Sequence, residues 1–209
     1  MLLAQMEVET FTDVLSSNTP APGGGSVAAL EGAFGSALSA MVCQLTIGKK
    51  KYSDVELFAK EASAQAEQLK KTFLLAMEQD TEAFNELMGA YALPKATEED
   101  KQKRSRAIQE RMIACTKSPL KVMELTYEAL LLTKSLLHKT NSNALSDLGV
   151  SALSLKAASQ GAWLNVLINV NSIKDETIAK DLKSKGQTLL SKSIALADEI
   201  YLEIEQDLD

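Results

Sequence analysis

The stretch TPAPGGGSVAALEGAFGSALSAMVCQLTIGKKKY, residues 19–52, decides the predicted fold. Two prolines and three consecutive glycines cannot continue a helix, so we expect a loop over Pro20–Gly25 and a helix that Ser26 caps. Between residues 27 and 47 only Glu31 is charged. At about 100° per residue, the small side chains share one flank; they are Gly32, Gly35, Ser36, Ser39, Cys43 and Thr46. Since another backbone could approach that flank closely, we predict that this helix is central.

The glycine-rich loop has two interpretations. In the first it is a turn between two helices, as most glycine-rich stretches are. In the second, Gly23, Gly24 and Gly25 let the backbone contact a ligand, and free N–H groups at the helix start attract its anionic part. Neither the spacing nor a preceding strand fits a Walker loop or a dinucleotide fingerprint.

The composition favours one domain over residues 1–209, because 209 residues with 45% hydrophobic side chains suffice for one sizeable core. A net charge of −6 argues against a nucleic-acid partner. Cys43 and Cys115 lie in predicted helices and no signal peptide opens the chain, so we expect a reducing, cytoplasmic location. Residues 26–47 could span a bilayer by length, but Glu31 and the small residues favour a buried helix and no membrane contact.

The rest of the chain also has helical periodicity and no strand-like alternation, so we predict an all-α, single-domain bundle of about six helices with long central helices. The expected segments are 2–15, 27–47, 53–88, 97–117, 118–138, 144–173 and 174–205. We expect a capping box at Ser53, caps at Thr97 and Asp175, and a new helix or a sharp kink at Pro119. His138 is the only histidine, and a helix end is its expected place.

Asp80 is the most informative residue of the third predicted segment. It lies in the middle of an apolar stripe that includes Phe73, Met77, Phe84 and Leu87. A buried carboxylate without a partner is costly, and its pKa rises unless a cation or hydrogen-bond donors meet it. Such a group is either a structural carboxylate that bridges neighbouring helices or a general acid or base in a dry site.

A second stripe runs along the segment 144–173, where small and polar residues lie on one line of an otherwise apolar helix. It comprises Asp147, Ser151, Ser154, Ala158, Gly161, Asn165, Asn169 and Ser172. The stripe is either a seam of close helix packing or the wall of a polar cleft that binds a heterocycle through Asn165 and Asn169. For Asp147, the alternative to a functional role is a structural one, since a carboxylate in the first turn of a helix is favourable.

Six short motifs together resemble one known family. They are PAPGGGSVAAL, LTIGKKKY, DTEAF (Asp80–Phe84), SPL (Ser118–Leu120), SDL (Ser146–Leu148) and NVLIN (Asn165–Asn169). The chain resembles the cyclodeaminase and methenyltetrahydrofolate cyclohydrolase family, whose module also forms the C-terminal part of bifunctional formiminotransferase-cyclodeaminases. The similarity covers nearly the whole chain. It implies a helical folate enzyme that forms a homodimer. Since the sequence has no clustered His or Cys ligands that could hold zinc, we expect no metal and no cofactor beyond the tetrahydrofolate substrate.

The resemblance also implies roles for particular residues. The family's glycine-rich loop, basic segment and carboxylate correspond to Gly23–Ser26, Lys49–Lys51 and Asp80. We therefore expect Asp80 as acid and base and Asp147 as a secondary carboxylate. Substrate contacts are expected from Gly23, Gly24, Gly25, Ser26, Lys49, Lys50, Asn143, Asn165 and Asn169, with Lys49 and Lys50 on the anionic folate tail.

The predicted reaction is hydrolysis of 5,10-methenyltetrahydrofolate to 10-formyltetrahydrofolate. The basic segment reads Lys-Lys-Lys-Tyr. The bifunctional enzymes more often carry Arg-Arg there, so the segment of this chain is closer to the cyclohydrolase branch. One alternative is formiminotetrahydrofolate cyclodeaminase, which releases ammonia. An alternative of another class is a non-catalytic folate-binding or helical interaction protein.

Overall fold

Six α-helices make up the computed structural model, which describes residues 2–209. They are α1 (Val8–Leu15), α2 (Gly24–Gln44), α3 (Glu56–Tyr91), α4 (Glu98–Leu136), α5 (Leu145–Val170) and α6 (Glu176–Leu208). Short 3-10 turns at Leu3–Gln5, Lys50–Val55 and Ser142–Ala144 precede α1, α3 and α5. The described residues contain no strand, and one hydrophobic core includes residues of all six helices. The all-α prediction is confirmed.

Helix α2 lies at the centre, as its small residues predict. A methyl group added at Gly32 would lie 2.3 Å from the ring of Phe73 on α3. One added at Gly35 would lie 2.6 Å from Leu155 and 2.9 Å from the Ser151 carbonyl oxygen on α5. The whole small-residue flank is buried. The absence of side chains therefore allows α3 and α5 to pack directly on the backbone of α2.

Helix α2 is also long and apolar enough to cross a membrane by length and composition. Most of it is buried within the fold, with Ala29, Val42 and Cys43 fully inaccessible.

The pairing of α2 with α5 is antiparallel, since Gly24 lies near Asn165 at one end and Leu45 accepts a hydrogen bond from Asn141 at the other. This geometry fixes which side chains can meet.

Three predicted helix starts differ from the structure. The helix that Ser26 was expected to cap begins at Gly24 with Gly23 as its cap, because the glycines adopt helical geometry and so extend the first turn. Ser53 forms no capping box, since it lies inside the 3-10 turn Lys50–Val55 rather than in the extended conformation of a cap. The expected helix over residues 2–15 is interrupted, because Met6 and Glu7 are extended.

Other local predictions are confirmed. Thr97 and Asp100 form a reciprocal capping box, and Asp175 accepts the N–H groups of the first turn of α6. His138 ends the fourth helix with a positive φ of 59° and contacts Glu203 at 2.7 Å. The expectation of a new helix at Pro119 is wrong, because α4 runs through it without interruption.

Candidate active site

A cavity of about 310 Å³ lies where the start of α2 meets the middle of α3 and α4 and the end of α5. It is lined by residues from the predicted site and by some that were not predicted. They include Gly23, Gly24, Gly25, Asp80, Thr81, Phe84, Cys115, Asn165, Ile168, Asn169 and Ser172. Six predicted residues thus line one cavity, and a seventh, Ser26, reaches it through its hydrogen bond to Asp80.

Asp80 faces the first turn of α2, as the stripe on α3 predicts. Its carboxylate lies so close to Gly25 that an added methyl group there would be 2.4 Å from Oδ2. The Ser26 hydroxyl donates to Oδ2 at 3.4 Å, and it also lies 3.1 Å from the Thr81 hydroxyl. Gly25 therefore provides the space for the carboxylate, and the positive end of the α2 dipole faces it.

Burial raises the pKa of the Asp80 carboxyl above its ordinary value. Hydrogen bonds from Ser26 and Ser118 act in the opposite direction and offset only part of this effect. Since the described residues that line the cavity include no lysine or arginine, desolvation dominates. A carboxyl with a raised pKa gives up and takes back a proton more readily near neutral pH, which suits it to act as both base and acid.

The Asn169 side chain bonds to a backbone carbonyl of α4 that lacks its usual partner within the helix. Pro119 has no N–H group, so the carbonyl of Cys115, one turn earlier, loses its partner within the helix. The Asn169 amide nitrogen donates to that carbonyl at 3.1 Å. Because a carbonyl only accepts, the amide nitrogen is committed to α4 and the orientation of the Asn169 side chain is fixed.

Asn165 is oriented in a similar way, since its amide nitrogen donates to the Gly161 carbonyl at 2.9 Å. Neither side-chain oxygen of Asn165 and Asn169 accepts a hydrogen bond from the part of the chain that the structure describes. With Asp80, the cavity therefore offers three acceptor groups, and the described residues that line it include no lysine or arginine. Such a cavity favours a ligand that carries N–H donors or positive charge.

Cys115 is a poor candidate for a nucleophile. Burial, followed by the nearby Asp80 charge, raises the pKa of its thiol. The thiol form therefore prevails near neutral pH, and the thiolate that a nucleophile needs is disfavoured.

Four predicted residues lie far from this cavity within the chain. Lys49 and Lys50 follow α2, whose 21 residues put its two ends about 30 Å apart. Asp147 is 18 residues from Asn165 on α5, which corresponds to about 27 Å. Asn143 lies beside Asn141, which bonds to the end of α2. The structure thus gathers these four at the opposite end of the α2–α5 pair.

The polar stripe of α5 combines both of its interpretations. Its first half is a packing seam, where the Ser151 hydroxyl donates to the Gly35 carbonyl at 2.7 Å and contacts Ser39 at 3.1 Å. Its second half, with Asn165 and Asn169, is a wall of the cavity. All these residues lie at a similar angle around the helix axis, so the sequence pattern alone could not distinguish the packing half from the cavity half.

Sequence comparison identifies the family. A family model described as Formiminotransferase-cyclodeaminase matches residues 7–188. The chain belongs to this family. The resemblance inferred from the six motifs is therefore confirmed.

Relatives within the formiminotransferase-cyclodeaminase family have two kinds of name. A methenyltetrahydrofolate cyclohydrolase from Methylorubrum extorquens is 42% identical over 194 residues, which cover 93% of each chain. The formimidoyltransferase-cyclodeaminase of Rattus norvegicus is 30% identical over 91% of this chain but only 35% of its own length. The chain therefore spans about a third of that bifunctional protein.

A solved structure has the same fold. Formiminotetrahydrofolate cyclodeaminase from Thermotoga maritima superposes with a TM-score of 0.88 at 26% identity, over 99% of this chain and 100% of that chain.

Several residues of the candidate site were not predicted. Ser118 and Pro119 belong to a recognised motif, but only the structure shows that Ser118 acts on Asp80 and that Pro119 frees the Cys115 carbonyl. The one available signal was a proline in an otherwise helical segment, which always leaves a carbonyl to be satisfied elsewhere.

Proposed function

We propose that this protein hydrolyses 5,10-methenyltetrahydrofolate to 10-formyltetrahydrofolate. The observation that carries the proposal is the partly open cavity that the Asp80 carboxylate and two fixed asparagine side chains line, and whose described lining includes no lysine or arginine. The methenyl bridge is an amidinium-like cation and the pterin ring bears N–H groups, so both match these acceptors. The 42% identity to a methenyltetrahydrofolate cyclohydrolase along nearly the whole of both chains supports this reaction.

Asp80 has two tasks in the proposed mechanism. As the carboxylate it stabilises the positive charge of the bridge and accepts a proton from the water that attacks the bridge carbon. The bond between that carbon and N5 of the pterin then breaks, and Asp80 returns the proton to N5. The formyl group remains on N10, and one proton is released to solvent in the balanced reaction. No step uses a metal ion.

Desolvation supports the first of these tasks. The Asp80 carboxylate is partly shielded by Gly25 and Ser26, so water screens its attraction for a cationic bridge less than it would at the surface. The same burial that costs free energy in the empty site is offset when a cation binds beside it.

The test is an assay of the purified protein with 5,10-methenyltetrahydrofolate, followed by the loss of its near-ultraviolet absorbance. We expect turnover well above the buffer-catalysed rate and formation of 10-formyltetrahydrofolate. An Asp80→Asn preparation is the matched control for contaminating activity. A rate equal to that of buffer alone would contradict the proposal and leave the cyclodeaminase and the non-catalytic alternatives.

The second candidate is formiminotetrahydrofolate cyclodeaminase. The likeness to the Thermotoga maritima cyclodeaminase favours it, with both chains covered almost completely. Here N10 would attack the formimino carbon and Asp80 would protonate the departing nitrogen as ammonia leaves. Release of ammonia from 5-formiminotetrahydrofolate, compared with hydrolysis of the methenyl substrate by the same preparation, separates the two reactions.

A homodimer is part of the proposal, because α2 and α5 expose an apolar face. On α5, Val150, Leu153, Leu164 and Ile168 lie on one line, and Leu164 and Ile168 are 65% and 70% exposed. Phe34 and Met41 are exposed on α2. Several large apolar side chains exposed on one helix face are typical of an interface rather than of a free surface. A second copy of this chain is the occupant that the family resemblance implies.

An isologous contact would also account for the four distant residues. If α2 of one subunit crosses its copy in antiparallel fashion, the end that carries Lys49, Lys50, Asn143 and Asp147 in one subunit approaches the Asp80 cavity of the other. Each site would then contain groups from two subunits.

Subunit mass and complementation test this arrangement. We expect wild-type protein to sediment as a dimer and Leu164→Glu to sediment as a monomer, with Leu75→Glu on the outside of α3 as the control. Inactive Asp80→Asn and Asp147→Asn proteins, unfolded and refolded together, should regain about a quarter of wild-type activity through mixed dimers. A monomeric wild type contradicts the dimer, and a mixture without activity contradicts the shared site.

A further inference from the structure

The connection from α5 to α6, residues 171–175, is tied to α4 by the side-chain amide of Gln109. The amide nitrogen donates to the Ser172 carbonyl at 3.1 Å, and the amide oxygen accepts the N–H of Lys174 at 2.7 Å. One side chain thus pairs a carbonyl and an N–H on either side of Ile173 that lie between two helices. We refer to these two hydrogen bonds as the Gln109 clamp.

The Gln109 clamp holds the part of the connection that borders the active-site cavity. Ser172 lines that cavity, as do Ile168 and Asn169 from the last turn of α5. The N–H of Ser172 donates to the Asn169 carbonyl at 3.0 Å, so Ser172 continues the turn that carries Asn169. A displacement of the connection is therefore transmitted directly to this wall of the cavity.

The end of α5 has two attachments to α4. One is the hydrogen bond from Asn169 to the Cys115 carbonyl, and the other is the Gln109 clamp. Cys115 and Gln109 are six residues apart, which is about 9 Å along α4. A segment that is held at two separate points cannot rotate about either one, whereas a single hydrogen bond leaves that rotation free. The clamp therefore adds orientation to a wall that Asn169 already attaches.

Other contacts of the connection do not replace the Gln109 clamp. Ile173 is buried, and Asp175 caps the first turn of α6. Because burial of an apolar side chain is non-directional, Ile173 sets the depth of the connection but not the direction of its peptide groups. The cap acts on α6 rather than on the end of α5. The clamp bonds to the peptide groups on both sides of Ile173 and so sets their direction.

We propose that Gln109 is a positioning residue for the active site, and that it holds the last turn of α5 in the orientation in which Asn169 and Ser172 meet the substrate. This inference rests on the proposed function. Gln109 acts through the peptide groups of Ser172 and Lys174 rather than on the substrate itself. Its loss should therefore weaken binding of the folate more than it slows the chemical step at Asp80, which belongs to α3.

The test replaces Gln109 with two residues of similar length. Gln109→Met removes both hydrogen bonds, whereas Gln109→Glu keeps an acceptor for the Lys174 N–H and removes the donor to the Ser172 carbonyl. We expect each variant to raise KM for 5,10-methenyltetrahydrofolate about fivefold, the size that loss of one such hydrogen bond implies. The kcat values should stay within about twofold of the wild type.

Two control variants separate the clamp from charge and from other contacts of α4. Gln102→Glu adds the same negative charge at an exposed position two turns earlier on the same face of α4. Ser105→Ala removes the hydroxyl that lies 3.0 Å from Lys174 Nζ, and leaves the Gln109 clamp in place. Neither control should change KM. A rise in KM for Gln102→Glu as large as that for Gln109→Glu would contradict the inference.

A double-mutant cycle tests whether Gln109 acts through the wall of the cavity. Asn169→Ala removes a group that the clamp orients, so Gln109→Met should change KM less than twofold in that background. A residue that only stabilises the fold would have the same effect in both backgrounds. Equal factors for Gln109→Met with and without Asn169 would therefore overturn the inference.

Two further measurements separate this inference from the proposed function. The Lys174 N–H should exchange with solvent about fivefold faster in Gln109→Met than in the wild type, and Gln109→Glu should keep its protection. If turnover occurs and the Gln109 variants keep the wild-type KM, the inference fails and the proposed function stands. If the wild type turns over no folate, the proposed function fails, and calorimetric titration with tetrahydrofolate decides the inference. About fivefold weaker binding to Gln109→Met supports it, and no difference from the wild type overturns it.

Discussion

Gly25 and Gly32 lie two turns apart on the same face of α2, and each meets a side chain of α3. Gly32 faces the ring of Phe73, and Gly25 faces the carboxylate of Asp80. Phe73 and Asp80 are also seven residues apart, so the two contacts repeat one antiparallel packing geometry. In one place the close approach of the backbones builds the hydrophobic core, and in the other it removes a carboxylate from water.

The comparison indicates how the candidate active site depends on the core. Because Gly32 has no Cβ, α2 and α3 approach each other closely there. The same short distance between the two helices continues along their contact as far as Asp80. The pKa of Asp80 is raised by burial, and that burial is set by the helix packing that Phe73 stabilises. A substitution at Gly32 should therefore lower mainly the stability, and a substitution at Gly25 should lower mainly the activity.

The largest expected effect follows from replacing the carboxylate. Asp80→Asn should lower kcat about 10²–10⁴-fold, because the amide cannot accept a proton from water. The melting temperature should stay the same or rise, since burial of the Asp80 charge costs stability that the neutral amide does not. Stopped assays with 5,10-methenyltetrahydrofolate and differential scanning calorimetry measure the two quantities. Wild-type turnover in this variant would exclude Asp80 as the acid and base.

The next effect tests the contact at Gly25. An alanine there would place its methyl group 2.4 Å from Asp80 Oδ2, so the carboxylate has to move. A displacement of about 1 Å in a catalytic group lowers activity roughly 10²-fold. Gly24→Ala is the matched control, because its nearest neighbour is Asn165 Nδ2 at 3.6 Å. Equal kcat values for the two variants would contradict the role given to Gly25.

The corresponding change in the core should affect stability. Gly32→Ala would bring a methyl group to 2.3 Å from the Phe73 ring, and such overpacking costs about 1–3 kcal/mol of unfolding free energy. Gly89→Ala, with no neighbour within 4 Å, controls for the gain in helix propensity of about 1 kcal/mol. Urea titrations give both values. A Gly32→Ala protein as stable as the control would show that this seam can relax.

The smallest effect is on the pH dependence. Because burial raises the pKa of Asp80, kcat/KM for hydrolysis should increase with pH through a midpoint above that of an ordinary aspartate. The folded chain also holds this proton more tightly than the unfolded chain. Asp80 therefore costs no stability below its unfolded pKa, and the cost grows as the pH rises through the folded pKa. Asp80→Asn should lack this loss of stability between low and neutral pH.

The sequence was sufficient for the fold because each element had a local signal. The stripe around Asp80 predicts its inward direction, since Phe73, Met77 and Leu87 share its face. Thr97 and Asp175 have the side chains and following residues of helix caps, and both form them. Ser26 and Ser53 have the same side-chain chemistry but lie in helical geometry, which depends on packing that periodicity does not contain.

The candidate site was predicted less completely for a geometric reason. The order of motifs along the chain does not say how far apart they lie in space. Lys49 and Gly25 were therefore assigned to one site, although α2 puts its two ends about 30 Å apart. The charged segment that follows Thr97 reads as a solvated face, and only the fold brings Lys101 and Arg104 together with Lys174. Residues distant in sequence become neighbours through tertiary contacts that no single periodicity encodes.

Pro119 has a consequence for the orientation of Asn169. A residue with an N–H at this position would let the Cys115 carbonyl complete its own helical turn, so the hydrogen bond from the Asn169 amide would no longer be needed to satisfy it. The Asn169 amide would then be held less firmly in its present orientation. One missing hydrogen in the backbone of α4 thus helps to fix which end of this amide faces the cavity.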